Sequence, residues 1–290
     1  MKFLASYVMR GQFQALSATV FLGVLSLQLL PAALLSCAII ALYVLRKGYQ
    51  KTIPVLVLTL VLVYLSTLII ETRAGLSIPL VIIITVPVAI CALVLRATAS
   101  QGIAVSIAIG FAALFALLVE WVTGDAIQWW SEWLKTAILG LNNTGYEDFL
   151  ESGNIKIMNG LVATLIGLCI VLSLFIGRWL QSLLFNPGEF GKEFNQMVVP
   201  RRILVIISII LLLSAVLSDN LLNDLLMVFS VLYFLQGLAI LHHHIAKNDL
   251  SSSWLFPIYL VIFFLPHYAI MGLAGAGVMD TFLNFRKLPK

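Results

Sequence analysis

The feature that most constrains this chain is a series of long runs without a charged residue. The first run extends from Gly11 to Leu45. A helix that crosses a bilayer needs roughly 20 apolar residues, and its backbone groups must bond to each other because lipid offers no partners. Of the 290 residues, 61% are hydrophobic and 10% are charged, whereas soluble domains carry about 25% charged residues. We therefore expect an integral membrane protein, which excludes a soluble enzyme, a disordered tail and a nucleic-acid binder.

The apolar runs predict an all-α, polytopic bundle of transmembrane helices with about nine spans, within a range of eight to ten. The first run is too long for one helix, and Pro31 divides it into two because proline breaks the helical hydrogen-bond ladder. The last run contains Pro257 and Pro266, and we interpret it as one kinked span followed by an interfacial segment. The alternative is a hairpin that bends back at Pro266. We expect a single integral membrane domain over residues 1–290. The spans between the first and last runs are predicted at 53–70, 75–95, 101–119, 157–177, 203–218 and 222–241.

Basic residues predict the orientation of the bundle. With a cytoplasmic N-terminus, eleven basic residues fall in cytoplasmic segments, and Arg73, Lys135 and Lys156 fall in outer loops. Membrane proteins concentrate Lys and Arg in their cytoplasmic loops. We therefore expect a multi-pass protein of the bacterial inner (cytoplasmic) membrane. The basic C-terminal tail disagrees, because nine spans place it outside.

The loop between Trp121 and Lys156 is predicted to hold an amphipathic helix on the outer side. One interpretation is a helix at the membrane surface, anchored by tryptophan rings in the headgroup region. The other is a lid whose aromatic rings close over a ligand. Apolar residues recur at helical spacing opposite polar ones: Ile127, Trp130, Leu134, Ile138 and Leu141 against Gln128, Ser131, Glu132 and Lys135.

Polar groups near the predicted outer ends of the spans form a candidate ligand-binding site. Asn220 and Asp224 are four residues apart and would share one helix face. The alternative is a solvated turn with a helix cap. The candidate ligand-binding residues are Glu120, Trp121, Trp130, Asn220 and Asp224.

Small residues recur at every fourth position in the fifth span. Such a pattern lets helix backbones approach closely in lipid. It predicts either packing inside this protein or docking to a partner membrane protein. One ladder is Ala104, Ala108, Ala112 and Ala116, and the ladder beside it is Gly102, Ser106 and Gly110.

The sequence offers little evidence for catalysis. Its three cysteines lie in apolar runs without metal-ligand spacing, so we expect no metal and no cofactor. His244 and Asp249 match the His-x-x-x-x-Asp pattern of glycerolipid acyltransferases, in which the aspartate orients a general base. Because that pattern has only two fixed positions, we expect no catalytic residues and interpret the histidines as interface residues.

The C-terminal third resembles the end of the YybS-like family of bacterial polytopic membrane proteins, a domain of unknown function. The matching segments are Phe234-Leu235-Gln236-Gly237-Leu238 and Asp280-Thr281-Phe282-Leu283-Asn284-Phe285-Arg286. That family is distantly similar to the substrate-capturing membrane components of energy-coupling-factor transporters. Those components dock through an Ala-x-x-x-Ala face on their first helix, whereas here the ladder lies in the fifth span.

Two hypotheses follow from the sequence. The first is a transporter-like, non-enzymatic membrane protein that binds a small molecule from the outer side. The second is an envelope-assembly or scaffold protein that acts through helix contacts. The expected partners are the lipid bilayer, a membrane protein or second copy of the chain, and a small-molecule ligand, with no nucleic acid.

Overall fold

The computed structural model describes residues 1–70, 78–139, 153–217, 219–283 and 285–287. Those residues form helices and no strand, which confirms the all-α prediction. The α-helices are α1 Lys2–Met9, α2 Gln12–Leu25, α3 Pro31–Lys47, α4 Tyr49–Thr67, α5 Leu80–Thr98, α6 Gln101–Thr123, α7 Ala126–Leu139, α8 Met158–Phe185, α9 Glu189–Asn195, α10 Arg201–Leu217, α11 Asn220–Lys247, α12 Leu255–Phe264 and α13 Pro266–Leu283.

Five stretches of the described chain are long and apolar enough to cross a membrane, and they fit a membrane protein. The expected count of nine is not reached by that measure. One reason is length, because the 14 residues of α2 extend only about 21 Å at about 1.5 Å per residue, against a hydrocarbon core of about 30 Å. The five candidate spans are Tyr49–Thr67, Leu80–Thr98, Gln101–Thr123, Asn154–Phe185 and Asn220–Lys247.

Prolines divide two of the apolar runs, as proline's missing N–H dictates. The first run breaks between Leu25 and Pro31, where Pro31 opens α3, and this confirms the predicted pair of helices. The last run breaks before Pro266, which begins α13. That run therefore forms a 10-residue helix and an 18-residue helix, which are separated only by Leu265. Of the basic tail, Arg286 and Lys287 are described and Lys290 lies outside the described residues.

The helices pack as two compact units, one formed by 1–108 with 168–194 and the other by 109–167 with 195–290. In the first unit α3 is the central helix, with most of its residues buried against its neighbours α2, α4 and α5. Gly177 of α8 fits against it, since a Cβ there would lie 2.6 Å from the Ala41 Cβ. Buried hydroxyl groups also join the helices of this unit. The Ser36 Oγ donates to the Thr19 carbonyl at 2.8 Å, and the Thr19 and Thr59 hydroxyls lie 2.7 Å apart.

In the second unit, α11 and α13 cross at two glycines. A Cβ on Gly237 would overlap the carbonyl oxygen of Leu273, and a Cβ on Gly277 would overlap that of Tyr233. Small residues at a crossing allow this backbone contact, which side chains of any size would prevent. The crossing therefore depends on the absence of a side chain at both positions.

The two ladders of small residues on α6 have different surroundings. All four residues of the alanine ladder are fully buried. Within the second unit, a Cβ on Gly167 would lie 2.9 Å from the Ala112 Cβ. In the other ladder Gly102 is buried and Ser106 is half-buried, but Gly110 is exposed and a Cβ there would meet nothing within 4 Å. The close contact expected along both ladders therefore excludes Gly110. This ladder lies about 200° around the helix from the alanine ladder, and at Gly110 no neighbouring atom packs against that face.

We predict that Gly277→Ala lowers the melting temperature of the protein in mild detergent. The added methyl must displace the backbone of α11, and overpacking typically costs about 1–3 kcal/mol. The matched control is Gly275→Ala on the same helix, where a Cβ meets no atom within 4 Å. That control should be neutral or slightly stabilising, because alanine favours a helix more than glycine. Equal melting temperatures for both variants would contradict the close crossing.

Candidate functional site

A polar cavity of about 360 Å³ lies in the second unit, where the end of α6 and the starts of α7, α8 and α11 meet. Four carboxylates and one lysine line it, so its wall carries a net negative charge at neutral pH. The lining residues are Glu120, Gly124, Asp125, Ala126, Ile127, Trp130, Ile155, Lys156, Asn159, Asp219, Asn220, Leu221 and Asp224.

Helix α7 supplies the apolar wall of the cavity. Trp130 is only 3% exposed and packs with Ala126 and Ile155, while Gln128, Glu132 and Lys135 on other faces are exposed. The amphipathic helix expected in this loop is therefore present over Ala126–Leu139. The predicted continuation of its apolar face to Leu141 lies outside the described residues.

Asn159 is the centre of a buried hydrogen-bond network behind the cavity. Its Nδ2 donates to the Ala116 carbonyl oxygen at 3.3 Å and to the Asp224 Oδ2 at 3.0 Å. Its Oδ1 accepts from the Trp130 indole Nε1 at 3.3 Å. One amide thus joins α6, α7, α8 and α11. Gly160 makes this approach feasible, because a Cβ there would lie 2.6 Å from the Asp224 Oδ1.

The remaining three carboxylates bond to helix starts. The Glu120 Oε2 accepts from the Ala126 N–H at 3.1 Å, and the Asp125 Oδ1 accepts from the Gln128 N–H at 3.0 Å. Asp219 is the N-cap of α11 and accepts from the Leu221 N–H at 2.7 Å. Carboxylates are favourable there because a helix N-terminus has unpaired N–H groups and a partial positive charge. The predicted helix cap at this turn is therefore present, beside a cavity.

Four of the five ligand-site candidates line the cavity, namely Glu120, Trp130, Asn220 and Asp224. Trp121 does not line it, and its side chain is 81% exposed. One position along a helix turns a side chain by about 100°, so neighbours such as Glu120 and Trp121 face different surroundings. Asn159 was missed by sequence reasoning. Its signal was an amide at the start of the apolar run predicted at 157–177.

A second polar cluster, buried in the same unit, lies where α11 and α13 pack together. The fully buried Gln236 accepts from the Val199 N–H at 3.0 Å and donates to the Asp280 Oδ2 at 3.0 Å. Asp280 forms an ion pair with Arg286 at 3.3 Å, and the Arg286 Nη2 donates to the Met197 carbonyl at 2.8 Å. Burial lowers the pKa of the Arg286 guanidinium, and the nearby Asp280 opposes that change.

This cluster draws its residues from both segments that carry the YybS-like resemblance. Gln236 comes from the first segment, and Asp280 and Arg286 come from the second. Asn284, which belongs to the second segment, lies outside the described residues. The two matching segments therefore meet in space rather than lying in separate parts of the unit.

The histidines lie near the end of α11. The His242 Nε2 is 2.9 Å from the Tyr259 hydroxyl, and the His244 Nε2 is 3.1 Å from the Asn248 Nδ2. Asp249 lies beyond the end of the helix, with a positive φ of 50°. The described contact of the His244 ring is thus with Asn248, not with the aspartate of the acyltransferase pattern.

Comparison with known proteins adds no assignment, because no protein-family model, curated protein or solved structure matches the chain.

Within the described residues, no three His, Cys, Asp or Glu side chains are grouped so that they could hold a metal ion.

We predict that Asn159→Ala destabilises the protein, because it leaves the Trp130 N–H, the Ala116 carbonyl and the Asp224 carboxylate without this partner. A buried polar group without its partner costs about 1–3 kcal/mol. The control is Asn220→Ala, which removes an exposed amide from the same cavity. Thermal unfolding in detergent, followed by tryptophan fluorescence, should separate the two variants. If Asn220→Ala lowered the melting temperature as much, the network would not hold these helices together.

Proposed function

We propose that this chain is a transporter-like, non-enzymatic membrane protein that binds a small molecule in the polar cavity at the end of α6 and the start of α11. The cavity is the observation that carries the proposal. Its volume of about 360 Å³ falls in the range of small-molecule sites, which span about 300–1,000 Å³. Its lining is mostly polar, with Trp130 as an aromatic wall and Asp224, only 5% exposed, as the most buried carboxylate.

The charge of the lining favours a ligand with a positively charged group. Four carboxylates face one lysine, and Asp224 is buried beside a neutral amide rather than a cation. A buried carboxylate gains from an opposite charge because its own hydration has been lost. A small organic amine would supply that charge, and the Trp130 ring could pack against its apolar part.

The orientation that we propose places this cavity on the outer side of a bacterial inner membrane. It combines a cytoplasmic N-terminus with nine spans, and it is supported by the partition of basic residues between the predicted loops. We also propose membership of the YybS-like family. It rests on the two matching segments, which pack together in one unit.

The second hypothesis, a scaffold protein acting through helix contacts, has less support. It needs an exposed ladder of small residues to which a partner helix can dock. The alanine ladder is fully buried, and part of it packs against Gly167 of the same unit. Internal packing therefore accounts for the ladder without a partner.

The ligand proposal predicts selective binding of amines. Full-length protein in mild detergent should melt at higher temperature with small primary or quaternary amines than with carboxylic acids of matched size. Asp224→Asn should weaken amine binding by about tenfold or more, because each 1.4 kcal/mol lost is tenfold and hydrogen bonds to charged groups contribute about 1.5–3 kcal/mol.

The control for this experiment is Glu132→Gln, which removes an exposed carboxylate of α7 that does not line the cavity. It should leave amine binding unchanged. Equal stabilisation by amines and acids, or equal loss in both variants, would count against the proposed site.

The orientation proposal predicts on which side of the membrane each fused reporter lies. Reporters fused after Lys51, Arg96 and Lys192 should read cytoplasmic, and reporters near Asn142 and Asn220 should read external, because basic loops stay inside. Alkaline phosphatase and fluorescent-protein fusions measure the two sides independently. A cytoplasmic signal at Asn142 would invert the orientation and place the cavity on the inner side.

A further inference from the structure

A cleft of about 430 Å³ in the first unit has the opposite charge to the polar cavity. It lies where α3 ends, α4 begins and α5 ends. Two cations line it, and none of its lining residues is acidic. The lining residues are Lys47, Gly48, Tyr49, Gln50, Leu93, Arg96 and Ala97.

Backbone geometry holds Arg96 in this cleft. Its Nη1 donates to the Val44 carbonyl oxygen at 2.9 Å, so the guanidinium satisfies the C-terminal end of α3. Gly48 follows α3 with a φ of +83°, and a Cβ there would lie 2.8 Å from the Arg96 Nη1. A guanidinium has five N–H donors in a rigid fork. The bond to Val44 therefore leaves donors for an anion in the cleft.

The start of α4 brings N–H groups to the cleft and the ends of α3 and α5 bring carbonyl groups, so its net positive charge comes from Lys47 and Arg96. Gly48 is its N-cap and provides no side-chain hydrogen bond to the first turn. The first N–H groups of a helix carry a partial positive charge and favour phosphate oxygens. Together with Lys47 and Arg96, they make the cleft complementary to an anion.

No nearby carboxylate of the described chain neutralises the cleft. Residues 1–70 contain no Asp or Glu. Glu193 shares a smaller adjoining pocket with Arg96, but it already accepts from the Arg178 Nε at 2.9 Å and from the Gln101 Nε2 at 3.1 Å. The positive charge of Lys47 and Arg96 is therefore available to a ligand.

Two exposed apolar stripes lead away from the cleft. Helix α4 begins there and α5 ends there, so the two neighbouring helices leave it in the same direction. Each stripe keeps one helix face, because its members are three or four residues apart. The stripe on α4 is Tyr49, Ile53 and Val57, and the stripe on α5 is Ile90 and Val86, with the half-buried Leu93 between it and the cleft.

We propose that this cleft binds the phosphate headgroup of an anionic phospholipid, with its acyl chains along the stripes of α4 and α5. Basic pockets between transmembrane helices are suited to anionic headgroups. A free phosphate would satisfy the cations alone, whereas a phospholipid also covers the two apolar stripes. The combination of charge at one end and apolar surface below it selects the lipid.

The test measures lipid binding to the full-length protein by native mass spectrometry in mild detergent. Phosphatidylglycerol should bind in preference to phosphatidylcholine with the same acyl chains. Lys47→Gln should weaken phosphatidylglycerol binding by about fivefold, the effect of one basic residue near an anionic surface. Lys51→Gln is the matched control, because it removes the same charge four residues further along the chain, at the start of α4, without lining the cleft.

Three results would overturn the proposal. Equal binding of the two lipids would remove the headgroup preference. Equal weakening by Lys47→Gln and Lys51→Gln would indicate a general attraction to basic loops rather than this cleft. Displacement of phosphatidylglycerol by inorganic phosphate, with the same dependence on Lys47, would indicate a free-phosphate site. Melting temperatures of both variants show whether each remains folded, and the comparison of lipids on the unmodified protein stands independently of them.

Discussion

The constraint on which this structure depends is that helices surrounded by lipid satisfy their backbone hydrogen bonds internally and gain no hydrophobic energy by packing together. Close contact and a few polar side chains must therefore determine which helices meet. In the second unit, the contact is the backbone crossing at Gly237 and Gly277. In the first unit, helices are joined by hydrogen bonds between buried hydroxyl groups, such as those of Thr19 and Thr59. Both kinds of helix contact need small side chains at particular positions. Single glycines and threonines therefore determine which helices pack together in this apolar chain.

The sequence predicted the features that depend on local pattern. Pro31 and Pro266 separate helices because proline lacks an N–H, and Trp130 lies on the buried face of α7 because apolar residues recur at helical spacing. The remaining features depend on tertiary neighbours. Gly110 belongs to a ladder by spacing, yet nothing packs against it. In the sequence, Asn159 is one amide near the end of a span. Its role depends on Asp224 of α11, which lies 3.0 Å from its Nδ2 only in the folded protein.

The two polar clusters of the second unit differ in what their hydrogen bonds achieve. Around Gln236, the carboxylate of Asp280 meets the guanidinium of Arg286, so charge is balanced within the protein. A buried ion pair of this kind holds its partners in one arrangement, because separating them leaves an uncompensated charge. The Gln236 amide joins α11 to this pair through its hydrogen bond to Asp280 in α13. Around Asn159, no ion pair within the described part of the chain balances the charge of Asp224.

In the function that we propose, that difference makes Asp224 the residue on which a ligand would act. The other acidic groups of the cavity, Glu120, Asp125 and Asp219, accept backbone N–H groups at helix starts, where a negative charge is already stabilised. Asp224 likewise accepts from a helix-start N–H, that of Gly160, and from the Asn159 amide, but it is only 5% exposed and forms no ion pair with a described residue. A carboxylate in this position is costly while no cation is present. A positively charged ligand would offset that cost, and the binding energy would come from the deepest point of the cavity rather than from its rim.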